Sequence, residues 1–224
     1  MQRVVHDLPI DAHRRVGAVD SVENVTGDDP NDVTLATYEA SAQRYAEYSA
    51  RLDQPPRAFL DGFAELTRGG TVLEVGSGPG TDADYLEQRG VQVRRSDGTA
   101  AFVEMMQATG HEAQILDIRT DDLGGPYRGV LAQAVLLHLD REQFVDLLGR
   151  AHAAVAHEGI LGFTVKEGDG SSWSLAKLDL PRHFTYWREP ELRAVLASTG
   201  WDVLSLAHVD GRAERWILVL ARAK

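Results

Sequence analysis

The run Thr71-Val72-Leu73-Glu74-Val75-Gly76-Ser77-Gly78-Pro79-Gly80 decides how the rest of the chain is read. Its first five residues make a short, mostly apolar strand, and three glycines in the next five break it. Glycine lets a chain turn sharply off a strand and lets its backbone approach a ligand closely. Thr81 with Asp84 three residues on has capping-box spacing, so a helix is expected to start there and to close at Gly90. The N-terminus of such a helix offers N–H groups and partial positive charge to whatever sits in the loop. About twenty residues past the glycines, Asp97 follows the apolar stretch 91–96, where a carboxylate can accept from both hydroxyls of a ribose.

Outward from this unit the chain keeps alternating. A helix is expected over Thr99–Thr109, with strands over Glu112–Ile118, Gly129–Leu136 and Gly159–Val165. Asp140 and Gln143 cap a helix whose apolar face is Phe144, Leu147, Leu148, Ala151 and Val155. Glu189-Pro190 opens a last helix, ended by Gly200. Trp201–His208 and Arg215–Ala221 form a hairpin around Asp210-Gly211. Upstream, helical spacing begins at Thr34 and runs through Leu35, Tyr38, Ala42 and Tyr45; a second helix starts near Pro55-Pro56 and buries Phe59, Phe63 and Leu66. Repeated strand–helix units predict an α/β fold: a parallel, doubly wound sheet with one antiparallel strand at or near its edge. Residues 1–33 carry seven acids scattered among single valines and read as an irregular arm. Residues 34–224 read as one domain, with 34–68 as a helical extension.

Composition narrows the function. The 224 residues contain no cysteine, which excludes a disulfide scaffold, a thiolate nucleophile and a cysteine zinc site. Lys plus Arg is 23 against 34 Asp plus Glu, a net charge of −11. The longest basic runs are the pairs Arg14-Arg15 and Arg94-Arg95, so a nucleic acid is not the expected partner. No stretch approaches the roughly 20 apolar residues of a membrane span, and the N-terminal stretch lacks the apolar segment of a secretory signal. A cytoplasmic protein is the expectation. No His/Asp/Glu grouping has metal-ligand spacing, so no metal is expected.

Glu74 separates two cofactor classes. A dinucleotide site wants a further glycine at position 81, where Thr81 stands. A carboxylate at 74 would repel a pyrophosphate but suits an ammonium or sulfonium cation. With these residues together, the sequence resembles the class I S-adenosylmethionine (SAM)-dependent methyltransferases of small-molecule type. The family's E/D-x-G-x-G-x-G motif reads Glu74–Gly80, its second acid matches Asp97, and its adenine-contacting acid matches Asp117. Residues 132–139 are similar to its fourth-strand segment, 160–168 to its fifth, and 201–220 to its closing hairpin. The resemblance covers about residues 34–224.

It implies a seven-stranded sheet ordered 3-2-1-4-5-7-6 with strand 7 antiparallel, SAM as cofactor and S-adenosylhomocysteine as product. The cofactor residues it implies are Tyr38, Tyr45, Glu74, Gly76, Ser77, Gly78, Gly80, Asp97, Gly98, Thr99, Asp117, Ile118, Gln133 and Ala134. His138 falls near the transferred methyl group, either as a general base with its ordinary pKa near 6.5 or as a structural residue. The segment 166–188 is longer than an ordinary connection. Its Trp173, Arg182, His183 and Tyr186 are candidates for the acceptor pocket, with Arg182 able to hold a carboxylate bidentately; the same aromatics would also pack the loop to the sheet.

The reaction implied is in-line methyl transfer to an oxygen, nitrogen or carboxylate of a small molecule or short peptide, natural-product metabolism being one setting, by a monomer or homodimer. An NAD(P)-dependent oxidoreductase and a non-catalytic SAM-binding protein are the alternatives.

Overall fold

Strand β1 (Thr71–Val75) sits in the middle of the sheet because four of its five residues are buried. The computed structural model describes residues 29–49, 57–211 and 213–224. β2 (Gln92–Asp97), β4 (Tyr127–Ala132), β3 (Ala113–Ile115) and β5 (Val155–Lys166) pair in parallel around β1. β8 (Trp201–Asp210) and β9 (Arg215–Ala223) form the closing hairpin, and β9 runs antiparallel to both β5 and β8. The order is β3-β2-β1-β4-β5-β9-β8. This is the arrangement expected from the sequence. The last two strands carry higher numbers because 167–188 is not plain loop: β6 (Ser171–Ser174) and β7 (Arg182–Thr185) pair there as a separate two-stranded sheet.

Helices cover both faces. Phe144, Leu147, Leu148 and Ala151 of α5 (Arg141–Ala154) and Leu192 and Leu196 of α6 (Glu189–Ser198) fill one core with Leu73, Phe163 and Trp201. Phe59, Leu60 and Phe63 of α2 (Arg57–Thr67) fill the other with Val72, Leu131 and Ile160. α2 lies close to the sheet because two of the strand positions under it are glycines. A Cβ at Gly162 would come within 2.7 Å of the Phe63 ring, and one at Gly129 within 2.8 Å of Thr67 Cγ2. Gly162→Ala should therefore destabilise the domain by about 1–3 kcal/mol through overpacking. Urea unfolding checks this, and an unchanged midpoint would mean that α2 rides further from the sheet.

Several boundaries differ from the sequence reading. α1 (Pro30–Ser49) begins four residues before Thr34. Asp29 caps it, its side chain accepting from the Asn31 N–H at 2.8 Å, and Pro30 fits the first turn. Residues 30–33 thus belong to the helix with Asp29 as its cap, and the rest of the expected arm, 1–28, lies outside the described residues. The expected capping box at Thr81 does not form. Gly80, at φ 86°, is the N-cap of α3 (Thr81–Glu87) without a side-chain bond, and Asp84 binds Arg95 instead. At Asp140 the box does form, with both reciprocal bonds to Gln143. β3 stops at Ile115, where Asp117 turns the chain by accepting from the N–H groups of Thr120 and Asp121. β4 stops at Ala132: the Ala134 N–H leaves the ladder for Thr164 Oγ1 at 2.9 Å, and Leu136–His138 form one 3-10 turn. The last hairpin is joined by a wider connection than a two-residue turn, closed by the Gly211 N–H on the Glu214 carbonyl. No helix among the described residues is long and apolar enough to cross a membrane.

Candidate active site

The loop after β1 takes its shape from Gly76, Gly78 and Gly80, at φ 65°, 53° and 86°. At Gly76 there is no room for a side chain, since a Cβ would lie 2.3 Å from Val135 Cγ2. At Gly78 the constraint is conformational, and its N–H donates to Asp97 Oδ2 at 2.8 Å. Asp97 Oδ1 accepts from the Thr99 N–H, also at 2.8 Å. Both carboxylate oxygens are thereby aimed by backbone, at the start of α4 (Ala100–Ala108). Burial pushes the Asp97 carboxyl up from its ordinary range, against the two N–H bonds that favour its charge.

Beneath the loop, Arg95 is 2% exposed. Its guanidinium reaches Asp84 and Glu87 at 2.7 Å each and the Gly80 carbonyl at 3.3 Å, tying β2 to α3 and the loop. Glu74 is as deeply buried, and its Oε2 has no hydrogen-bond partner. Burial, with the charge of Asp82 adding, pushes its carboxyl up to about 8; burial raises Asp82 to about 6. Two such acids are a place of stored negative charge awaiting a cation or protons.

Above the carboxyl ends of β1, β2 and β4 lies a cleft of about 730 Å³, part of it open to solvent. Of the sequence-predicted residues, Tyr38, Tyr45, Gly76, Gly78, Asp97, Gly98, Thr99, Asp117, Ile118, Gln133, Ala134 and His138 line it. Glu74, Ser77 and Gly80 do not line it: Glu74 and Ser77 are buried, and Gly80 packs against Arg95 and Met106. Its aromatic wall was only half legible. Tyr38 and Tyr45 stand edge-on at 5.3 Å, and Phe102 of α4 completes the group at 6.1 and 5.7 Å from them. Leu35, Arg119 and Val135 also line the cleft and were missed. Arg119 is the informative omission. It chelates Asp117 through Nε at 3.0 Å and Nη2 at 2.7 Å, and reaches Asp32 at 2.8 Å, fastening α1 to the turn after β3. The pairing holds the Asp117 carboxyl below the usual carboxylate range.

His138 is half-buried at the cleft wall. Its Nδ1–H donates to the His183 carbonyl at 2.7 Å, which leaves Nε2 to accept from the Tyr38 hydroxyl at 3.0 Å. Burial, with the charges of Arg182 and Lys166 adding, pushes its pKa down to about 3. The neutral-range pKa read from the sequence does not survive folding.

The four acceptor candidates lie off the cleft. Trp173 and His183 face each other across the β6–β7 pair, ring centres 5.1 Å apart, and the Tyr186 hydroxyl meets Ser172 Oγ at 3.0 Å. Arg182 is 4% exposed, with Nη1 on the Tyr38 hydroxyl at 3.2 Å and Nη2 on the Ala176 carbonyl at 2.5 Å. Its two terminal nitrogens are engaged, so the bidentate carboxylate grip expected of them is not available. Among the described residues one trio, Asp84, Glu87 and His111, has metal-ligand proximity, but both its carboxylates are held by Arg95.

A family model described as a methyltransferase domain matches residues 42–206. The chain belongs to that family, in the class I, SAM-dependent form that its glycine motif and sheet order resemble. No curated protein sequence matches it. Among solved structures it is similar to the 1,6-didemethyltoxoflavin-N1-methyltransferase of Burkholderia thailandensis, which holds 1,6-didemethyltoxoflavin and S-adenosylhomocysteine: 19% identity, 97% of this chain and 98% of that one, TM-score 0.66. The magnesium protoporphyrin IX methyltransferase of Synechocystis PCC 6803, with bound SAM, aligns at 16% identity over 89% and 99% of the two chains, TM-score 0.69. The CcbJ methyltransferase of Streptomyces caelestis aligns at 16% identity over 88% and 99%, TM-score 0.66. At these identities the likeness is one of fold.

Proposed function

We propose that this chain binds SAM in the cleft between the glycine loop and α1 and transfers its methyl group to a small-molecule acceptor. The observation that carries the reading is the backbone-aimed carboxylate of Asp97 beside the left-handed glycine loop. The remaining polar groups fit a cofactor with a cationic, donor-rich end. Glu74 Oε2 and Gln133 Oε1 are both buried acceptors without a partner, and Gln133 lines the cleft. When bound, SAM supplies a methyl group already activated on a sulfonium. The chain's own work is then to hold and align. Asp97 takes the ribose hydroxyls; Gly76, Gly78 and the start of α4 present backbone to the cofactor; Tyr38, Tyr45 and Phe102 keep water out. Gly98, Thr99, Asp117, Ile118 and Ala134 complete the cofactor wall in this reading, with Ser77 and Gly80 shaping the loop. The acceptor enters from the side of β6 and β7. His138, uncharged and bonded at both nitrogens, positions Tyr38 rather than serving as a base. The fold neighbours whose acceptors are named act on 1,6-didemethyltoxoflavin and magnesium protoporphyrin IX, which supports a small-molecule rather than a polymeric acceptor.

Isothermal titration calorimetry with SAM and S-adenosylhomocysteine tests the reading directly. Binding in the micromolar range is expected; tight NADH binding in their place would overturn it. The same experiment reads Glu74. With its folded pKa raised to about 8, this carboxyl is mostly protonated at pH 7, and a cationic ligand nearby favours the charged form. Binding of SAM at pH 7 should therefore release close to one proton. The measured heat should depend on the ionisation enthalpy of the buffer, and Glu74→Gln should remove most of that dependence. Equal heats in phosphate and Tris for the unmodified protein would place the cation away from Glu74.

A further inference from the structure

We propose that the acceptor is a small carboxylic acid, its carboxylate held by a cationic cluster of Lys166, Lys177 and Arg182 on the β7 side of His138. The proposal rests on the methyltransferase reading above and names its substrate class.

The cluster gathers around one ring. The Phe184 centroid lies 3.4 Å from Lys166 Nζ, 5.2 Å from Arg182 Cζ and 4.9 Å from the His138 ring. Lys177 stands nearby against Tyr48, at 5.4 Å. Lys166 ends β5 and Arg182 opens β7, so both lie at the carboxyl-terminal side of the parallel sheet, where the cleft also opens. In a chain of net charge −11 this is an unusual concentration of positive charge. Glu214 is its one acidic partner among the described residues, at 2.6 Å from Lys166. Three cations against one carboxylate leave the cluster about two charges in excess.

That excess is costly where it lies. Lys166 and Arg182 are 5% and 4% exposed. Burial at Lys166 and partial desolvation at the exposed Lys177, with the neighbouring cations adding, push both lysines below the ordinary ammonium range. Arg182 Nε is buried with no hydrogen-bond partner at all, a vacant donor in a site whose other guanidinium nitrogens are satisfied. Lys177 sits at φ 76° in the turn closed by the Asp179 N–H on the Leu175 carbonyl, which carries it out beside Arg182 and Tyr48. Buried positive charge beside a site that receives a sulfonium cation disfavours the cofactor unless an anion intervenes. An acceptor carboxylate accepting from Arg182 Nε and paired with Lys166 and Lys177 supplies that anion.

The test uses the full chain loaded with S-adenosylhomocysteine, titrated by ligand-observed NMR with matched pairs: hydroxy- and amino-substituted aromatic and aliphatic carboxylic acids, their carboxamides, and the corresponding phosphate monoesters. The expected result is that at least one acid binds ten-fold or more tighter than its amide. That ratio should fall towards one in Lys177→Ala, an exposed position that leaves the core intact, and in Arg182→Met. Equal affinity for acids and amides, no acid binding, a preference for phosphate monoesters alone, or a ratio unmoved in Lys177→Ala would each overturn the proposal. A chain that fails to bind S-adenosylhomocysteine in the loading step removes the methyltransferase reading itself; one that loads normally and shows no acid preference removes this inference alone.

Discussion

Asp97→Ala should weaken S-adenosylhomocysteine binding by about two orders of magnitude. Each hydrogen bond to a charged group is worth about 1.5–3 kcal/mol, and tenfold in affinity is about 1.4 kcal/mol. In the proposed complex Asp97 takes two hydroxyls at once. Its own oxygens are already oriented by the Gly78 and Thr99 N–H groups, so the cofactor meets a preorganised acceptor. Alanine would remove the ribose bonds and leave both N–H groups without their carboxylate, loosening the loop as well. A loss of about 3 kcal/mol or more is the expected total. Asp97→Asn separates the two contributions, because the amide keeps one acceptor oxygen. It should bind with intermediate affinity, and the order Asp, Asn, Ala is what calorimetry should return. Binding within twofold of the parent in Asp97→Ala would place the ribose elsewhere.

The place of Asp97 beside the glycine loop was legible because it follows from local features: a glycine-broken strand, then an acid at the end of the next strand. The capping box at Asp140 and the Pro190 helix start were legible for the same reason. Where sequence reading failed, the deciding partner lay far along the chain. The capping-box spacing of Thr81 and Asp84 was misleading because Asp84 is claimed by Arg95, eleven residues away on β2. Arg119 carries no local signal in the sequence, yet it bridges Asp117 and Asp32. The pairing of β6 with β7 involves strands too short to show a pattern. The start of α1 was a different failure. Asp29-Pro30 is a local N-cap signal, and it was passed over because the acids around it read as an arm.

His138 shows the same limit in electrostatics. Its neighbours in sequence are leucines, and its ionisation is set by burial under distant segments, with the charges of Arg182 and Lys166 adding and the His183 carbonyl opposing. Sequence position left a neutral-range base and a structural residue both open, whereas packing of α1 and β7 makes it a half-buried neutral imidazole. The consequence is a stability that depends on pH. The folded pKa of about 3 lies below the unfolded value near 6.5, so the contribution is fully present above about 6.5 and is lost as pH falls towards 3. The slope is about 1.4 kcal/mol per pH unit, which amounts to about 3 kcal/mol by pH 4. Other groups act in the opposite direction. Glu74 and Asp82, with raised folded pKa values, add stability as pH falls through about 8 and 6, and His208, raised by Glu189 and Glu167, favours the acid side too. The parent curve alone therefore understates His138. The difference between the parent and His138→Leu isolates it, since the leucine keeps bulk but cannot take a proton. At pH 7.5 the variant should be less stable, having lost the bonds to Tyr38 and His183. Between pH 6.5 and 4 the gap should close by about 1.4 kcal/mol per unit, and urea unfolding across that range measures it. A gap that stays constant with pH would mean that the imidazole titrates normally in the folded protein, and with that result His138 would regain its place as a candidate base.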